Sequence, residues 1–89
     1  MNTKNMADNN TTEITIPNQG LTVTEIVIAK WYKKVGEKLK KDEVLLDFET
    51  DKAVVELGSP TDGILSRIVA QEGETIPIGG VVGILTPEH

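Results

Sequence analysis

In the stretch VLLDFETDKAVVELGSP, residues 44–60, two apolar runs, Val44 to Phe48 and Ala53 to Leu57, are joined by Glu49, Thr50, Asp51 and Lys52. A single amine thus stands among carboxylates where the chain reverses. A plain polar turn needs nothing more than this, since Asp stabilises turns and Lys blunts sheet edges, and spacing alone leaves that as the default. A catalytic amine needs burial or cationic neighbours to lower its pKa, whereas Glu49, Asp51 and Glu56 surround Lys52 with acid. An amine offered to another enzyme for modification needs only a rigid, exposed turn. Of the two chemical uses, the protruding hairpin suits the last.

Other chemistries find little support. His89 is the only histidine and is terminal, so neither a serine-type triad nor a metal cluster can be assembled around it. Cysteine is absent, which excludes a disulfide scaffold and a thiolate zinc site and leaves the compartment undetermined. The net charge of -5 argues against a nucleic acid or an anionic membrane as partner. That total hides an asymmetry: residues 1–41 carry seven basic and four acidic side chains, residues 42–89 two basic and ten acidic. The cluster Lys30, Lys33, Lys34, Lys38, Lys40 and Lys41 reads as a solvated face, with attraction of an acidic partner as the second reading. No apolar run reaches the length of a membrane span, and MNTKNMADNNTT lacks the apolar stretch of a signal peptide and the arginines of a transit peptide. The expectation is a soluble, cytoplasmic protein.

The elements that must position Lys52 are short strands. With 89 residues the chain forms one domain with a modest core. Residues 1–12, rich in Asn and Thr, read as a flexible tail. From Glu13 the runs EITIP, EIVIAKWY, VLLDF, AVVELG, GILSRIVA and VVGILT are strand-like, punctuated by Gly, Pro, Asp and Asn. A helix over residues 24–34 is the competing reading, rejected because Val27 and Ile28 are β-branched and no amphipathic stripe persists beyond Gly36. With only Trp31, Tyr32 and Phe48 as aromatics, aliphatic side chains such as Ile14, Ile16, Ile28, Leu46, Val55, Leu65, Ile68 and Val81 must carry the core, and Trp31 belongs with them. Around the lysine, alternation sends Leu46, Phe48, Val55 and Leu57 inward and Asp47, Glu49 and Glu56 to water.

A weak internal repeat sets the architecture. A shift of 37 residues lays VGEKLKKDEVLLDF over EGETIPIGGVVGIL, matching Gly36 to Gly73, Glu37 to Glu74, Val44 to Val81 and Phe48 to Leu85, and also Ile28 to Leu65 and Trp31 to Ile68. Each half runs strand, Gly-acid turn, stub of strand, turn, longer strand. Neither half alone covers its apolar face, so two halves clasped into an all-β, two-sheet antiparallel sandwich or flattened barrel is the expected fold. Lys52 falls between the halves.

The run DFETDKAVVEL, preceded by TEIVIAKWYKKVGEKLKKDEVL and followed by SPTDGILSRIVAQEGETI and GGVVGIL, resembles the lipoyl domain of the acyltransferase subunit of 2-oxo acid dehydrogenase complexes. The likeness spans residues 13–86, rests on Trp31, Gly36, Glu49, Asp51, Lys52, Ala53, Pro60, Gly63 and Gly73 in order, and is greatest to the 2-oxoglutarate, succinyl-transferring type. NQGLTVTE departs from the Gly-Glu-Ser usual before TVTE, in the loop beside the turn where a decarboxylase could discriminate. Biotinyl carrier domains share the fold but place methionines on both sides of their lysine, where this chain has Asp51 and Ala53. An unmodified interaction domain of lipoyl-like fold is the third alternative.

The resemblance implies a flattened barrel of two four-stranded sheets related by a quasi-twofold axis, with lipoic acid in amide linkage on Lys52. It implies a carrier, not an enzyme: a thiamine-dependent 2-oxo acid decarboxylase acylates the lipoamide, an acyltransferase core passes the acyl group to coenzyme A, and dihydrolipoamide dehydrogenase reoxidises the dithiol. That core is expected in a longer parent chain beyond TPEH, with residues 87–89 the start of a linker or a chain end, and the isolated domain is expected to be monomeric. Glu49 and Asp51 become candidate recognition groups for the lipoate-attaching enzyme, equally readable as solvated turn acids. Thr50 and Ala53 become small residues that permit a tight reversal. Gly36, Gly63 and Gly73 read as turn or bulge glycines.

Overall fold

The computed structural model describes residues 11–20 and 22–87. Eight strands follow in order: β1 (Thr12–Thr15), β2 (Glu25–Trp31), β3 (Lys38–Leu39), β4 (Val44–Glu49), β5 (Val54–Gly58), β6 (Gly63–Ile68), β7 (Thr75–Pro77) and β8 (Val81–Thr86). They form two four-stranded antiparallel sheets, ordered β1-β8-β6-β3 and β5-β4-β2-β7. The region that could have been helical is strand β2, as its β-branched content dictates. Thr12, assigned to the tail by sequence, already pairs with Leu85, so the sheet begins one residue earlier; the rest of the expected tail, up to residue 10, and His89 lie outside the described residues.

The two halves exchange hydrogen bonds in pairs that the 37-residue shift interconverts. Gly36 N–H donates to the carbonyl of Leu65 at 2.7 Å and Gly73 N–H to that of Ile28 at 2.8 Å. The return bonds match: Leu65 N–H reaches Glu37 O at 3.0 Å, and Ile28 N–H reaches Glu74 O at 2.9 Å. Within each Gly-acid turn the carboxylate folds back onto the backbone, Glu37 accepting from Lys34 N–H at 2.7 Å and Glu74 from Gln71 N–H at 2.9 Å. Both turns need a left-handed residue, which Gly36 (φ 99°) and Gly73 (φ 91°) supply. Each half therefore closes the other's turn, which is why neither half covers itself alone. Gly63 is not a turn glycine: it opens β6, and a Cβ there would lie 2.7 Å from the backbone oxygen of Thr86.

Between the sheets lies an aliphatic core of Ile14, Ile16, Ile26, Ile28, Leu39, Leu45, Leu46, Leu65, Ala70, Val82 and Leu85 around Phe48, with Trp31, Val55, Leu57 and Ile68 packed against it. Strand register shifts in four places among the described residues, between Ile28 and Lys30 in β2 and between Leu65 and Arg67 in β6 as well as in the two that alter the expected core. Pairing shifts between Val44 and Leu46 in β4, so Leu45 and Leu46 are both buried, and the matching irregularity where β1 meets β8 buries Val82 where Val81 was expected. Trp31 seats its indole with the N–H donating to Ala70 O at 2.8 Å, satisfying the one polar group it brings. Asp47, expected in water, is half-buried: Tyr32 folds over it and donates its hydroxyl to Oδ2 at 2.6 Å, while Oδ1 is buried with no partner among the described residues.

Candidate functional site

Lys52 lies at the tip of the hairpin joining β4 to β5. The register Asp47↔Glu56, Phe48↔Val55, Glu49↔Val54 carries pairing to the residue before the turn, and Thr50 N–H then donates to Ala53 O at 2.8 Å. Only Asp51 and Lys52 remain as the loop. Beneath them Phe48 is fully buried and the inward-facing Val55 packs on the core, so the tip stands on strands anchored to the core. Both loop residues and Ala53 are exposed, as is Glu49, and Thr50 is half-buried.

Two-residue hairpins favour primed turns with positive φ, because these match the twist of the strands. Neither Asp51 nor Lys52 has positive φ. The side chain of Thr50 compensates: its Oγ1 accepts from Lys52 N–H at 3.1 Å and from Ala53 N–H at 3.0 Å, and donates to Ala53 O at 3.3 Å. One donor and two acceptor positions exhaust what a hydroxyl can offer. Reading Thr50 only as small overlooked this; the signal was available, since Ser and Thr hydroxyls capture turn N–H groups two and three residues on.

The ammonium of Lys52 has no hydrogen-bond or ion-pair partner among the described residues, and neither Glu49 nor Asp51 folds onto it. An exposed, uncommitted primary amine on a short turn fits a group held in amide linkage, which needs a free amine and clear space around it. On the flank of the tip, Glu49 pairs with Val27 across β2, and Thr22, Val23, Thr24 and Glu25 form with Glu49, Thr50 and Asp51 the walls of an open groove. The segment entering β2, which includes TVTE, therefore lies beside the turn. The structure thus brings Glu49, Thr50, Asp51, Lys52 and Ala53 together in one reversal, with residues 22–25 against it.

The lysine cluster lies elsewhere. Tyr32 N–H donates to Leu45 O at 2.8 Å, at the end of β4 remote from the turn, and Lys38 pairs with Ile64, itself opposite Thr86 near the end of β8. Lys33 is ion-paired with Glu43 at 2.6 Å, Lys30 lies 5.2 Å from the centre of the Tyr32 ring, and the open groove at this end is lined by Lys38, Leu39, Lys40 and Lys41 together with Asp42, Glu43 and Asp62. Interspersed carboxylates make this a mixed face. The Lys33 hydrogen bond holds the Glu43 carboxyl below its ordinary pKa, and the same bond raises that of the Lys33 amine; Asp47 likewise raises the Tyr32 phenol. No His, Cys, Asp or Glu grouping suited to a metal occurs among the described residues.

Comparison with known proteins identifies the family of the whole two-sheet frame. The model of the biotin/lipoyl family, described as biotin-requiring enzyme, matches residues 12–85. The chain is 47% identical over 73 residues to the dihydrolipoyllysine-residue succinyltransferase component of the 2-oxoglutarate dehydrogenase complex of Bartonella vinsonii subsp. berkhoffii, covering 82% of this chain and 18% of that one. It is 45% identical over 76 residues to the component of the same name from Buchnera aphidicola subsp. Baizongia pistaciae, covering 85% and 18%. The chain thus spans less than a fifth of the length of these curated relatives. Among solved structures, the lipoyl domain of the 2-oxoglutarate dehydrogenase complex from Azotobacter vinelandii superposes with a TM-score of 0.71 at 38% identity, over 86% of this chain and 98% of that domain. With the matched span and the two-sheet frame in agreement, the chain belongs to the biotin/lipoyl family and is a lipoyl domain.

Proposed function

We propose that Lys52 carries lipoic acid in amide linkage and that the domain serves as the swinging carrier of a succinyltransferase component in a 2-oxoglutarate dehydrogenase complex. The observation that carries this is the tip itself: one amine, uncommitted to any partner among the described residues, on a two-residue loop fixed at both shoulders. The likeness of the chain to succinyltransferase components supports the choice of 2-oxo acid. Once attached, the lipoyl group would supply a cyclic disulfide that is reduced as it takes up an acyl group, the dithiol left after transfer being the species reoxidised. The domain itself presents the Lys52 amine at an exposed tip, with the exposed Glu49 and Asp51 beside it.

The partners of this reading are a lipoate-attaching enzyme, a thiamine-dependent 2-oxo acid decarboxylase, the acyltransferase core and dihydrolipoamide dehydrogenase, in the cytoplasm, with the isolated domain monomeric. The groove formed by residues 22–25 with the turn is the surface on which a decarboxylase can discriminate, since any protein reaching the arm meets it. Tethering raises the local concentration of the arm at each active site, so the domain should outperform free lipoamide.

Intact mass after incubation with lipoate, ATP and a lipoate–protein ligase tests the assignment: a single lipoyl adduct, absent from Lys52→Arg, is expected. The variant should keep its thermal midpoint, because an exposed side chain without partners contributes within about 0.5 kcal/mol. An adduct that persists in Lys52→Arg, or a biotin adduct formed by a biotin ligase in place of the lipoyl one, would overturn it.

A further inference from the structure

We infer that Thr50 is the positioning residue of the attachment turn, acting through its hydroxyl to hold the Lys52 backbone in the one orientation that the lipoate-attaching enzyme accepts. This rests on Lys52 being the lipoylated residue. The Asp51–Lys52 loop lacks the positive φ angles of the primed turns, whose backbone twist matches that of the strands they join. The Ala53 N–H, which in an ordinary β-turn closes onto the carbonyl of the first residue, donates to Thr50 Oγ1 instead, and so does the Lys52 N–H. The hydroxyl proton returns to Ala53 O, which also accepts from Thr50 N–H. Three bonds from one side-chain oxygen therefore span the loop, one on the lysine's own amide and two on Ala53 at the strand shoulder. Asp51, the other loop residue, receives no such tie. Without the hydroxyl, two exposed N–H groups turn to water and the loop samples other reversals, so the fraction of molecules presenting Lys52 correctly falls. An enzyme that binds only the competent fraction then shows a raised KM with kcat little changed.

The test compares wild type, Thr50→Val and Thr50→Ser as substrates of a lipoate–protein ligase with lipoate and ATP, by intact mass against time, well below all three thermal midpoints. Val keeps the shape and removes the hydroxyl; Ser keeps the hydroxyl and removes the methyl. The expected result is a fall of about tenfold in kcat/KM for Thr50→Val, carried by KM, with Thr50→Ser within about twofold of wild type. Amide hydrogen exchange on the wild type supplies a readout independent of any variant: after correction for intrinsic rates, the Lys52 and Ala53 amides exchange more slowly than that of Asp51. Thr50→Val lipoylated as fast as wild type, or equal exchange at all three amides, overturns the role of Thr50 while leaving Lys52 as the attachment point. A wild type that takes no lipoyl group at Lys52 overturns the attachment reading and this inference with it.

Discussion

Lys33 and Glu43 show how a single pair can tune the domain without touching the tip. Glu43 holds two donors, the Lys33 ammonium at 2.6 Å and the Lys40 N–H at 3.0 Å, and both favour its charged form. Its folded pKa is therefore below the unfolded value of about 4.3, and the stabilisation is full above that pH and lost as pH falls through the lower, folded value. Lys33 works in the opposite direction: raised in the folded state, it stabilises fully below its unfolded value of about 10.4 and loses that contribution as pH rises through the folded one. Thermal midpoints of wild type and Glu43→Gln between pH 5 and pH 3 should converge as the acid is titrated, the variant being the less stable at pH 5 and showing the shallower acid slope. Parallel curves would show that Glu43 contributes nothing through its charge. The contrast with Lys52 is chemical: a committed ammonium serves stability, an uncommitted one is available for chemistry.

At the scale of elements, the turns are where this chain spends its unusual residues. The turn before β4 contains Asp42 at φ 72°, the only non-glycine residue with positive φ among those described, and its counterpart 37 residues on is Gly79 at φ 84°. The surrounding bonds correspond as well, Glu43 N–H to Lys40 O and Gly80 N–H to Pro77 O, each at 2.9 Å. One half thus uses a glycine where the other tolerates an aspartate, a residue whose short polar side chain suffers least in the left-handed region. Asp42→Gly should leave stability within about 0.5 kcal/mol of wild type, the relief of strain offsetting the greater freedom of the unfolded chain. Asp42→Val should cost about 1–2 kcal/mol, because a β-branched side chain fits this conformation poorly. Urea denaturation midpoints of the two variants check both, and equal effects would mean the turn relaxes around either residue. The attachment turn solves the same problem differently, through the hydroxyl of Thr50 in place of backbone conformation.

For the molecule as a whole, the two halves stand or fall together, since each closes the other's Gly-acid turn and both bury side chains against Phe48. Phe48→Ala should therefore cost about 3–5 kcal/mol, a large share of the roughly 5–15 kcal/mol available to a domain, and should unfold both sheets in one transition. Its urea transition, followed by Trp31 fluorescence in one sheet and by amide signals of β8 in the other, is expected to be a single coincident one. The strands, the repeat and the lone lysine between the halves were legible in the sequence because they depend on local pattern: alternation, β-branching, glycine at turns and similarity at fixed spacing. Several features were not. Paired burial of Leu45 and Leu46, the exchange of Val81 for Val82 in the core and the half-burial of Asp47 follow from strand irregularities and from Tyr32 folding across β4, which no single strand's pattern contains. What the order of residues determined by itself was which amine stands at the reversal and which side chains must be hidden. Tertiary structure alone decided the register of the strands beneath that reversal and what lies beside it. Register and the groove of residues 22–25 exist only once strands far apart in the chain have been brought together, whereas the bonds of Thr50 to Lys52 and Ala53 are local and could have been read from the turn.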